Sequence, residues 1–533
     1  MSKFFTPLVA LVFLSAVASF LKAEPLLHPG DRIVFAGDSI TGQGGNGGPN
    51  GWVGLIGGAL KEQNPANHQI LVPLGGSGQT VGGWINVERK SRTAPAFLDV
   101  KAFDVQAELN QHADVVVVML GMNDVLAPSM KDAPDAYQKW IASYRTLIAA
   151  LRERTTPRIV ALATPTPCTE DALSPKNQVM DKMVDEMKKM ATEEKCVVLP
   201  TRATAWEVLG QGRRVKPDAH VTGDQVHPND LGHLAIAAGM LRGLGEDAAA
   251  KSLLDRVATK LRGTGNGSTL SYEVALVPQQ RTDAGIQFRI QAYHSTDKVK
   301  LELPEGWTVK DMKAGQGETV FVVNAAPDRL VNHVVLRGGN DTREILIPAP
   351  WLVGTGNIGW TGWKLGVFDR EAAKLPSDEV VRTGKGLADA MAKMELKPGV
   401  PVAWQQYAGG VNYGGAGASG AIDFAGVTYF GGGEVGYGLR WIKSDRERPV
   451  VVKIAKLGFA GTPYLETWLN GDTVYAGDPG KAKGQDFPMK LKAGWNLLSF
   501  KSDFAQWQWQ FAIDLQAATG DNLDGLRFSS IPR

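Results

Sequence analysis

The sequence predicts a three-layer α/β/α domain with a parallel five-stranded sheet, followed by two β-sandwich domains. Three observations lead to this architecture. Strand and helix patterns alternate from about residue 32 to residue 244, the period changes to two residues after a glycine-rich break at 263–268, and a second β-rich region begins at Trp351. At 533 residues the chain is also too long for one ordinary core.

Five near-continuous apolar segments are the strand candidates of the first domain. In chain order they read RIVFAG, QILVPLG, DVVVVMLG, RIVALAT and CVVLPT. Continuous apolar strands are typical of parallel sheets that are covered on both faces. Helical periodicity marks the segments expected to cover them: GWVGLIGGALKEQ, DAYQKWIASYRTLIAALRER, NQVMDKMVDEMKKMATEEK, NDLGHLAIAAGML and a closing AAAKSLLDRVATKLRG.

The rest of the chain predicts β structure in two units. Residues 263–350 hold six alternating segments and predict an immunoglobulin-like unit. Residues 351–533 predict a jelly-roll sandwich with a short helical insert, GLADAMAKMEL, and a glycine-dense stretch at 407–438. Turn signals such as Asn470-Gly471 separate its strands.

The N-terminus and the composition restrict location and partners. Residues 1–23 have one lysine, an apolar run and small residues, which predicts a secretory signal peptide; an uncleaved membrane anchor is the alternative. After cleavage we expect no stable membrane insertion. A formal net charge of +2 without long charged runs makes nucleic acid a poor partner. Cys168 and Cys196 are too few for a disulfide framework and are expected a strand's length apart.

The stretch RIVFAGDSITG raises the question of what Ser39 does. A purely structural interpretation gives Gly37 an unusual φ and makes Asp38 and Ser39 caps of the next helix. The glycine-rich segment 42–51 after Ser39 is expected to be a loop. Three further segments favour a nucleophile: GGSGQT after the second strand, GMND at the end of the third, and GDQVHPNDLGH before a late helix. Each segment alone is also compatible with a turn, a cap or a surface pair.

Sheet geometry brings these segments together. Ligands of doubly wound sheets bind beyond the carboxyl ends of the strands. If the second strand lies outside the first, the first and third strands are neighbours, so Ser39, Gly78 and Asn123 share one edge. His227 can then reach the same edge from its loop. A serine needs a base, and His227 with Asp224 three residues earlier would supply one.

The ordered set GDSI, GGSGQT, GMND and DQVH resembles the SGNH (GDSL) hydrolase family over about residues 31–244. The resemblance implies a flavodoxin-like fold and the catalytic residues Ser39, His227 and Asp224. It implies an oxyanion hole formed by the N–H groups of Ser39 and Gly78 and the amide of Asn123. Ile40 replaces the usual leucine, and the asparagine that often precedes the second block is absent, so Gly76 stays the alternative to Gly78.

Other residues are expected to have structural roles. Asp38 would hold the turn, His233 would pack or cap within its helix, and His220 lacks the D-x-x-H context. The scattered histidines disfavour a metalloenzyme, so no metal or other cofactor is expected. Ser39 lies outside any G-x-S-x-G sequence, which argues against an α/β-hydrolase.

The expected function is that of an exported, periplasmic or extracellular esterase that removes O-acetyl groups from a polysaccharide or oligosaccharide. The α/β segments offer no long apolar lid, which favours short acyl groups, and the last domain resembles galactose-binding-like sandwiches of carbohydrate-active enzymes. Alternatives are a lipid or thioester hydrolase of the same fold and a non-catalytic carbohydrate-binding or adhesion protein. Several tryptophans either stack on sugars or fill cores: Trp84, Trp441, Trp468, Trp495, Trp507 and Trp509.

Overall fold

The structure is a computed structural model of the full chain. It describes residues 25–533 except 67, 89–103, 127–129, 131–134, 216–218, 263–269, 278–284, 295–297, 316, 358–362, 365–366, 369–378, 394, 398–399, 409–420, 425–433, 458–463, 483 and 504–508. The predicted signal peptide at 1–23 and Trp507 lie outside the described residues.

A parallel five-stranded sheet forms the centre of the first domain. Its strands are β1 (Arg32–Gly37), β2 (Ile70–Gly75), β3 (Val115–Met119), β4 (Ile159–Ala163) and β5 (Val197–Leu199). They are ordered β2-β1-β3-β4-β5, so the second strand lies outside the first and β1 pairs with both β2 and β3. This order places the carboxyl ends of the three motif-bearing strands side by side, as predicted.

Helices cover the sheet and confirm the predicted α/β fold class. They are α1 (Ser39–Asn46), α2 (Trp52–Gln63), α3 (Val81–Glu88), α4 (Val105–Leu109), α5 (Met122–Leu126), α6 (Ala136–Thr155), α7 (Pro175–Glu193), α8 (Thr201–Val215), α9 (Asp230–Gly243) and α10 (Asp247–Arg262). The pattern in the sequence did not predict α8, whose segment TRATAWEVLGQGRRV contains two glycines, a residue of low helix propensity.

Two details of the turn after β1 differ from the expectation. The φ of Gly37 is not in the left-handed region; glycine is needed there because a Cβ would lie 2.0 Å from Thr41 Oγ1. Residues 39–46, expected to lie partly in a loop, are helical. Packing of the Trp52 ring over Gly44 overrides the low helix propensity of the glycines, since a Cβ at Gly44 would come within 2.3 Å of that ring.

The first β unit consists of two antiparallel sheets. Its strands are β6 (Leu270–Leu276), β7 (Ile286–His294), β8 (Val299–Glu302), β9 (Thr308–Gly315), β10 (Glu318–Ala325), β11 (Val331–Gly338) and β12 (Asp341–Pro348). One sheet is ordered β6-β7-β10-β9 and the other β12-β11-β8. The strand β9 was not predicted, because all eight of its residues are exposed and its sequence TVKDMKAG lacks clear alternation.

The second β unit has a large and a small antiparallel sheet. Its helices are α11 (Glu379–Thr383) and α12 (Leu387–Ala392), the latter within the predicted insert. Its strands are β13 (Trp351–Asn357), β14 (Trp363–Lys364), β15 (Val367–Phe368), β16 (Glu395–Lys397), β17 (Val400–Tyr407), β18 (Ala421–Asp423), β19 (Glu434–Ser444), β20 (Arg448–Lys456), β21 (Leu465–Leu469), β22 (Asp472–Gly477), β23 (Phe487–Leu491), β24 (Gly494–Asp503), β25 (Gln510–Ala517) and β26 (Arg527–Ser529). The large sheet runs β16-β17-β13-β19-β24-β21-β22 with β26 beside β19, the small one β18-β25-β20-β23, and β14 pairs with β15.

Apolar packing separates the α/β domain from the β units. One cluster of buried side chains fills the space around the parallel sheet. A second runs without a break through both β units, from Leu270 past Trp351 to Phe528. A division at residue 350 therefore stays a prediction, as does the galactose-binding-like character of the last unit. Within the described part of the chain, every helix is too short or too polar to cross a membrane.

Candidate active site

Ser39 is the first residue of α1, directly beyond the carboxyl end of β1. Asp38 is the N-cap, and its carboxylate accepts a hydrogen bond from Ile40 N–H at 2.9 Å. The predicted structural role of Asp38 is thereby confirmed, whereas Ser39 lies inside the helix and does not cap it. The Ser39 side chain is only 9% exposed, at the positive end of the helix dipole.

Asp224 and His227 lie in a tight loop between α8 and α9. An antiparallel bridge joins Thr222 and Pro228 at the base of the loop. Inside it, Asp224 Oδ1 accepts hydrogen bonds from the N–H groups of Val226 at 3.0 Å and His227 at 2.6 Å. The spacing of three residues lets one carboxylate hold both the backbone and the ring of the histidine.

The three predicted side chains form a hydrogen-bonded chain. Ser39 Oγ lies 2.8 Å from His227 Nε2 across 188 residues of sequence. His227 Nδ1 lies 2.6 Å from Asp224 Oδ2. A neutral imidazole with its proton on Nδ1, donated to Asp224, leaves Nε2 free to accept the serine proton. This arrangement can activate a hydroxyl for attack on an acyl carbon.

The carboxylate of Asp224 stays ionised in this setting. Burial alone raises the pKa of Asp224, but hydrogen bonds from the His227 ring and its backbone N–H outweigh burial, so the pKa of Asp224 lies below its ordinary value. An ionised partner fixes the tautomer of His227 and stabilises the imidazolium that forms when the ring takes a proton.

Asn123 is the second residue of α5, which follows β3, the strand next to β1 in the sheet. Its Nδ2 donates one hydrogen bond to the Gln79 carbonyl oxygen at 3.0 Å, which ties the end of β3 to the turn after β2. An amide nitrogen has two hydrogens, so the second can be donated to a ligand. The side chain is 9% exposed, equal to that of Ser39.

The geometry of the turn after β2 favours Gly78 over Gly76 as an N–H donor to a ligand. The N–H of Gly76 donates to the Gly37 carbonyl oxygen at 3.3 Å. Gly78 is exposed, has a φ of +71°, and its N–H has no hydrogen-bond acceptor among the described residues. A substituent at Gly78 would meet nothing within 4 Å, so the space beside it is open.

The two other histidines considered as the base, His233 and His220, make hydrogen bonds to other residues. His233 Nδ1 accepts a hydrogen bond from the Trp52 N–H at 3.3 Å and so caps α2, which confirms the predicted packing or capping role. Burial lowers the pKa of His233. His220 Nδ1 lies 2.6 Å from a carboxylate oxygen of Glu170, away from Ser39.

Glu170 is a residue that the sequence did not point to. From the segment after β4, its buried carboxylate accepts hydrogen bonds from the N–H groups of Val221 at 2.8 Å and Thr222 at 2.9 Å. It also pairs with Arg213 at 3.0 Å and with His220. These contacts hold the base of the loop that carries Asp224 and His227. An isolated glutamate has no sequence signal, because its partners lie some 50 residues away.

The tryptophans have structural roles in most cases. Trp84 is buried and its indole N–H donates to the Gly37 carbonyl oxygen at 2.8 Å, which fixes the end of β1. Trp441, Trp468 and Trp509 are buried within the second β unit, whereas Trp495 is 40% exposed. Cys168 and Cys196 are free thiols. Across the described ranges, no three His, Cys, Asp or Glu side chains are placed to share a metal ion.

The comparisons with known proteins agree with the predicted family for the first domain. The sequence model of the GDSL-like Lipase/Acylhydrolase family matches residues 35–235, a range that includes Ser39, Gly78, Asn123, Asp224 and His227. The chain contains a GDSL-like lipase/acylhydrolase domain. The described β units lie beyond the matched range.

Relatives of known name align with the same part of the chain. An acetylxylan esterase of Geobacillus stearothermophilus is 28% identical over 229 residues, which is 40% of this chain and 94% of that protein. The crystal structure of Axe2, an acetylxylan esterase from the same organism, covers 41% of this chain and 95% of its own, with 28% identity and a TM-score of 0.32. LAE5, an enzyme from the metagenome of Lake Arreo in Spain, is 24% identical, with coverage of 42% and 98% and a TM-score of 0.32.

Proposed function

We propose that this protein is an exported serine esterase that removes O-acetyl groups from a polysaccharide or oligosaccharide. The observation that carries the proposal is the hydrogen-bonded chain from Ser39 Oγ to His227 Nε2 at 2.8 Å and from His227 Nδ1 to Asp224 at 2.6 Å. A base within proton-transfer reach of a buried serine is the requirement for acyl-enzyme chemistry.

The reaction proceeds in two acyl transfers. Ser39 Oγ attacks the ester carbonyl carbon while His227 Nε2 takes the hydroxyl proton, and the imidazolium then gives that proton to the departing sugar hydroxyl. A water molecule, activated by the same ring, attacks the acetyl-Ser39 ester and releases acetate. Asp224 stabilises the imidazolium in both halves of the reaction.

Three donors converge on the oxyanion in this mechanism. They are the N–H of Ser39 at the start of α1, the N–H of Gly78 and the second amide hydrogen of Asn123. The first N–H groups of a helix have no partner within the helix, so the N–H of Ser39 can turn to a ligand. The hydrogen bond already made by the Gly76 N–H supports Gly78 as the glycine donor.

Other observations support the proposed specificity for acetylated glycans. The acetylxylan esterase relative is 28% identical and matches over nearly its full length. The family name also includes lipases, so the length of the acyl chain is the property that separates the proposed activity from a lipid hydrolase. Export rests on the character of residues 1–23.

The test is acetate release from a panel of acetylated glycans, with Ser39→Ala as the matched control. We expect release by the wild type and none above background by the variant. On synthetic esters we expect acetate to be cleaved far faster than octanoate, and the reverse order would identify a lipid hydrolase. A fluorophosphonate probe should label Ser39; a folded protein that fails to react would instead be a binding protein.

A further inference from the structure

Gln225, the residue between Asp224 and Val226 in the catalytic loop, has an unusual backbone. Its φ is +73°, in the left-handed region, where side chains other than glycine and asparagine are uncommon. The conformation costs about 1 kcal/mol for a residue with a Cβ. Glycine would avoid that cost, so a glutamine at this position indicates that its side chain makes a contact that glycine could not make.

Two segments hold Gln225 from opposite ends. Its carbonyl oxygen accepts a hydrogen bond from the Thr169 N–H at 2.7 Å, within the α/β domain. Its side-chain amide donates to Asp423 Oδ2 at 3.3 Å, and Asp423 belongs to β18 of the second β unit. The C-terminal unit thus touches the loop one residue from Asp224 and two residues from His227.

Asp423 is itself held in place by both sheets of its unit. It pairs with Gln510 of β25 in the small sheet. Its backbone N–H donates to the Tyr407 hydroxyl at 3.0 Å, and Tyr407 ends β17 of the large sheet. Burial and then the charge of Asp423 raise the pKa of that hydroxyl, so Tyr407 stays neutral beside the carboxylate. The backbone of Asp423 is therefore fixed by both sheets, which holds its carboxylate within hydrogen-bond reach of the Gln225 amide.

We propose that Asp423, acting through Gln225, is a positioning residue that holds the Asp224–His227 loop in its catalytic conformation. The C-terminal β unit is then part of the machinery of the α/β domain. This inference rests on the proposed esterase function of the same site. Because Asp423 does not touch the reacting atoms, its loss lowers the rate of the chemical step and leaves ground-state binding of a small ester unchanged.

The experiment compares four single variants and one double variant of the full chain on a synthetic acetate ester. Asp423→Ala removes the acceptor, Asp423→Asn keeps an oxygen acceptor, and Gln225→Gly removes the amide while fitting the positive φ. Asp472→Ala, an exposed aspartate on the outer strand β22 of the same unit, is the matched control. For each protein kcat, KM and the rate of Ser39 labelling by a fluorophosphonate are measured, with thermal unfolding to verify the fold.

We expect Asp423→Ala and Gln225→Gly each to lower kcat and the labelling rate by about 5–10-fold, with KM within about twofold of wild type. Asp423→Asn and Asp472→Ala should stay within about twofold of wild type. The double variant Gln225→Gly/Asp423→Ala should be no slower than either single variant, because both remove one contact. Full activity in Asp423→Ala overturns the inference, as does a double variant whose loss of activity is the product of the two single losses. In either case an active wild type leaves the proposed function standing. An inactive wild type refutes the proposed function itself.

Discussion

At the scale of single residues, two buried acids each adjoin a candidate site residue in the sequence. Asp38 caps α1 in front of Ser39, and Asp124 follows Asn123 and accepts hydrogen bonds from the Val81 N–H. Burial raises the pKa of each carboxyl to about 7, only partly offset by the backbone hydrogen bonds. Each therefore holds a proton in the folded protein at a pH where the unfolded chain has released it.

We predict that the wild type loses stability as the pH rises from 4 to 7 and that Asp38→Asn loses less. In that range the folded state binds more protons than the unfolded state, so the free energy of unfolding falls as the pH rises. An asparagine keeps an acceptor for Ile40 N–H but cannot ionise, which removes a contribution of up to about 4 kcal/mol. Urea unfolding at several pH values measures the effect, with the exposed Asp472→Asn as control. A parallel pH dependence in Asp38→Asn and wild type would contradict the prediction.

We predict that Asn123→Ala lowers kcat by about 10²–10³-fold, the usual cost of losing one oxyanion donor. The same variant loses the hydrogen bond to the Gln79 carbonyl oxygen, which costs about 1 kcal/mol of stability and leaves the protein folded. Steady-state kinetics on an acetate ester and a thermal melt separate the two effects. An activity near that of wild type would remove Asn123 from the mechanism.

The residues that could be predicted from the sequence are those whose chemistry is carried by short motifs. Ser39, Asn123, Asp224 and His227 are of types required by acyl transfer, and the parallel order of the strands brings them together. Glu170 and Gln225 could not be predicted in this way. Their roles depend on partners in distant segments, Val221 for the first and Asp423 for the second.

At the scale of elements, the turn from β1 into α1 shows where local propensity fails. A glycine-rich segment predicts a loop, yet α1 forms because Trp52 packs across it and its indole N–H donates to the Ile40 carbonyl oxygen at 3.0 Å. Gly44 faces the Trp52 ring, and Gly37 makes room for Thr41. Glycine is therefore needed at both positions because neighbouring side chains pack closely against the backbone. Helix propensity depends on the local sequence alone and does not include such tertiary contacts.

We predict opposite effects for two glycine-to-alanine changes in helices. Gly44→Ala should destabilise the protein by about 1–3 kcal/mol, because the new Cβ would lie 2.3 Å from the Trp52 ring. Gly58→Ala in α2 should stabilise it by about 0.5–1 kcal/mol, since its Cβ would meet nothing within 4 Å. Chemical unfolding of both variants measures these changes. If both substitutions stabilise the protein, the structure around Gly44 can relax to accommodate the new Cβ.

At the scale of the whole molecule, the α/β domain could be predicted far better than the β units. Its parallel strands follow one another with helices between them, so the topology follows from a few handedness and adjacency rules. The antiparallel sheets of the second β unit pair strands far apart in sequence, such as β13 with β19 and β18 with β25. Alternation of apolar and polar residues predicts such strands but not which of them pair. Neither the order of the sheets nor the contact between Gln225 and Asp423 could therefore be predicted.

The continuous core of the β units leads to a last prediction, at Trp351. This side chain is fully buried where β12 leads into β13; Phe500 lies edge-on at 5.3 Å and the Arg440 guanidinium 3.9 Å above the ring. Trp351→Ala should lower the free energy of unfolding by about 3–5 kcal/mol, the usual cost of emptying a tryptophan site.

The partly exposed Trp495 provides the matched control for that change, because the same truncation removes less buried area than at the fully buried Trp351. Trp495→Ala should lower the free energy of unfolding by about 1–2 kcal/mol, clearly less than Trp351→Ala. Both variants are compared by denaturant unfolding, followed by circular dichroism and by esterase activity in the same samples. If the β unit holds the catalytic loop through Asp423, Trp351→Ala loses activity at the denaturant concentration where its β structure unfolds. Activity that outlasts the β structure would show that the α/β domain keeps its active site without that support.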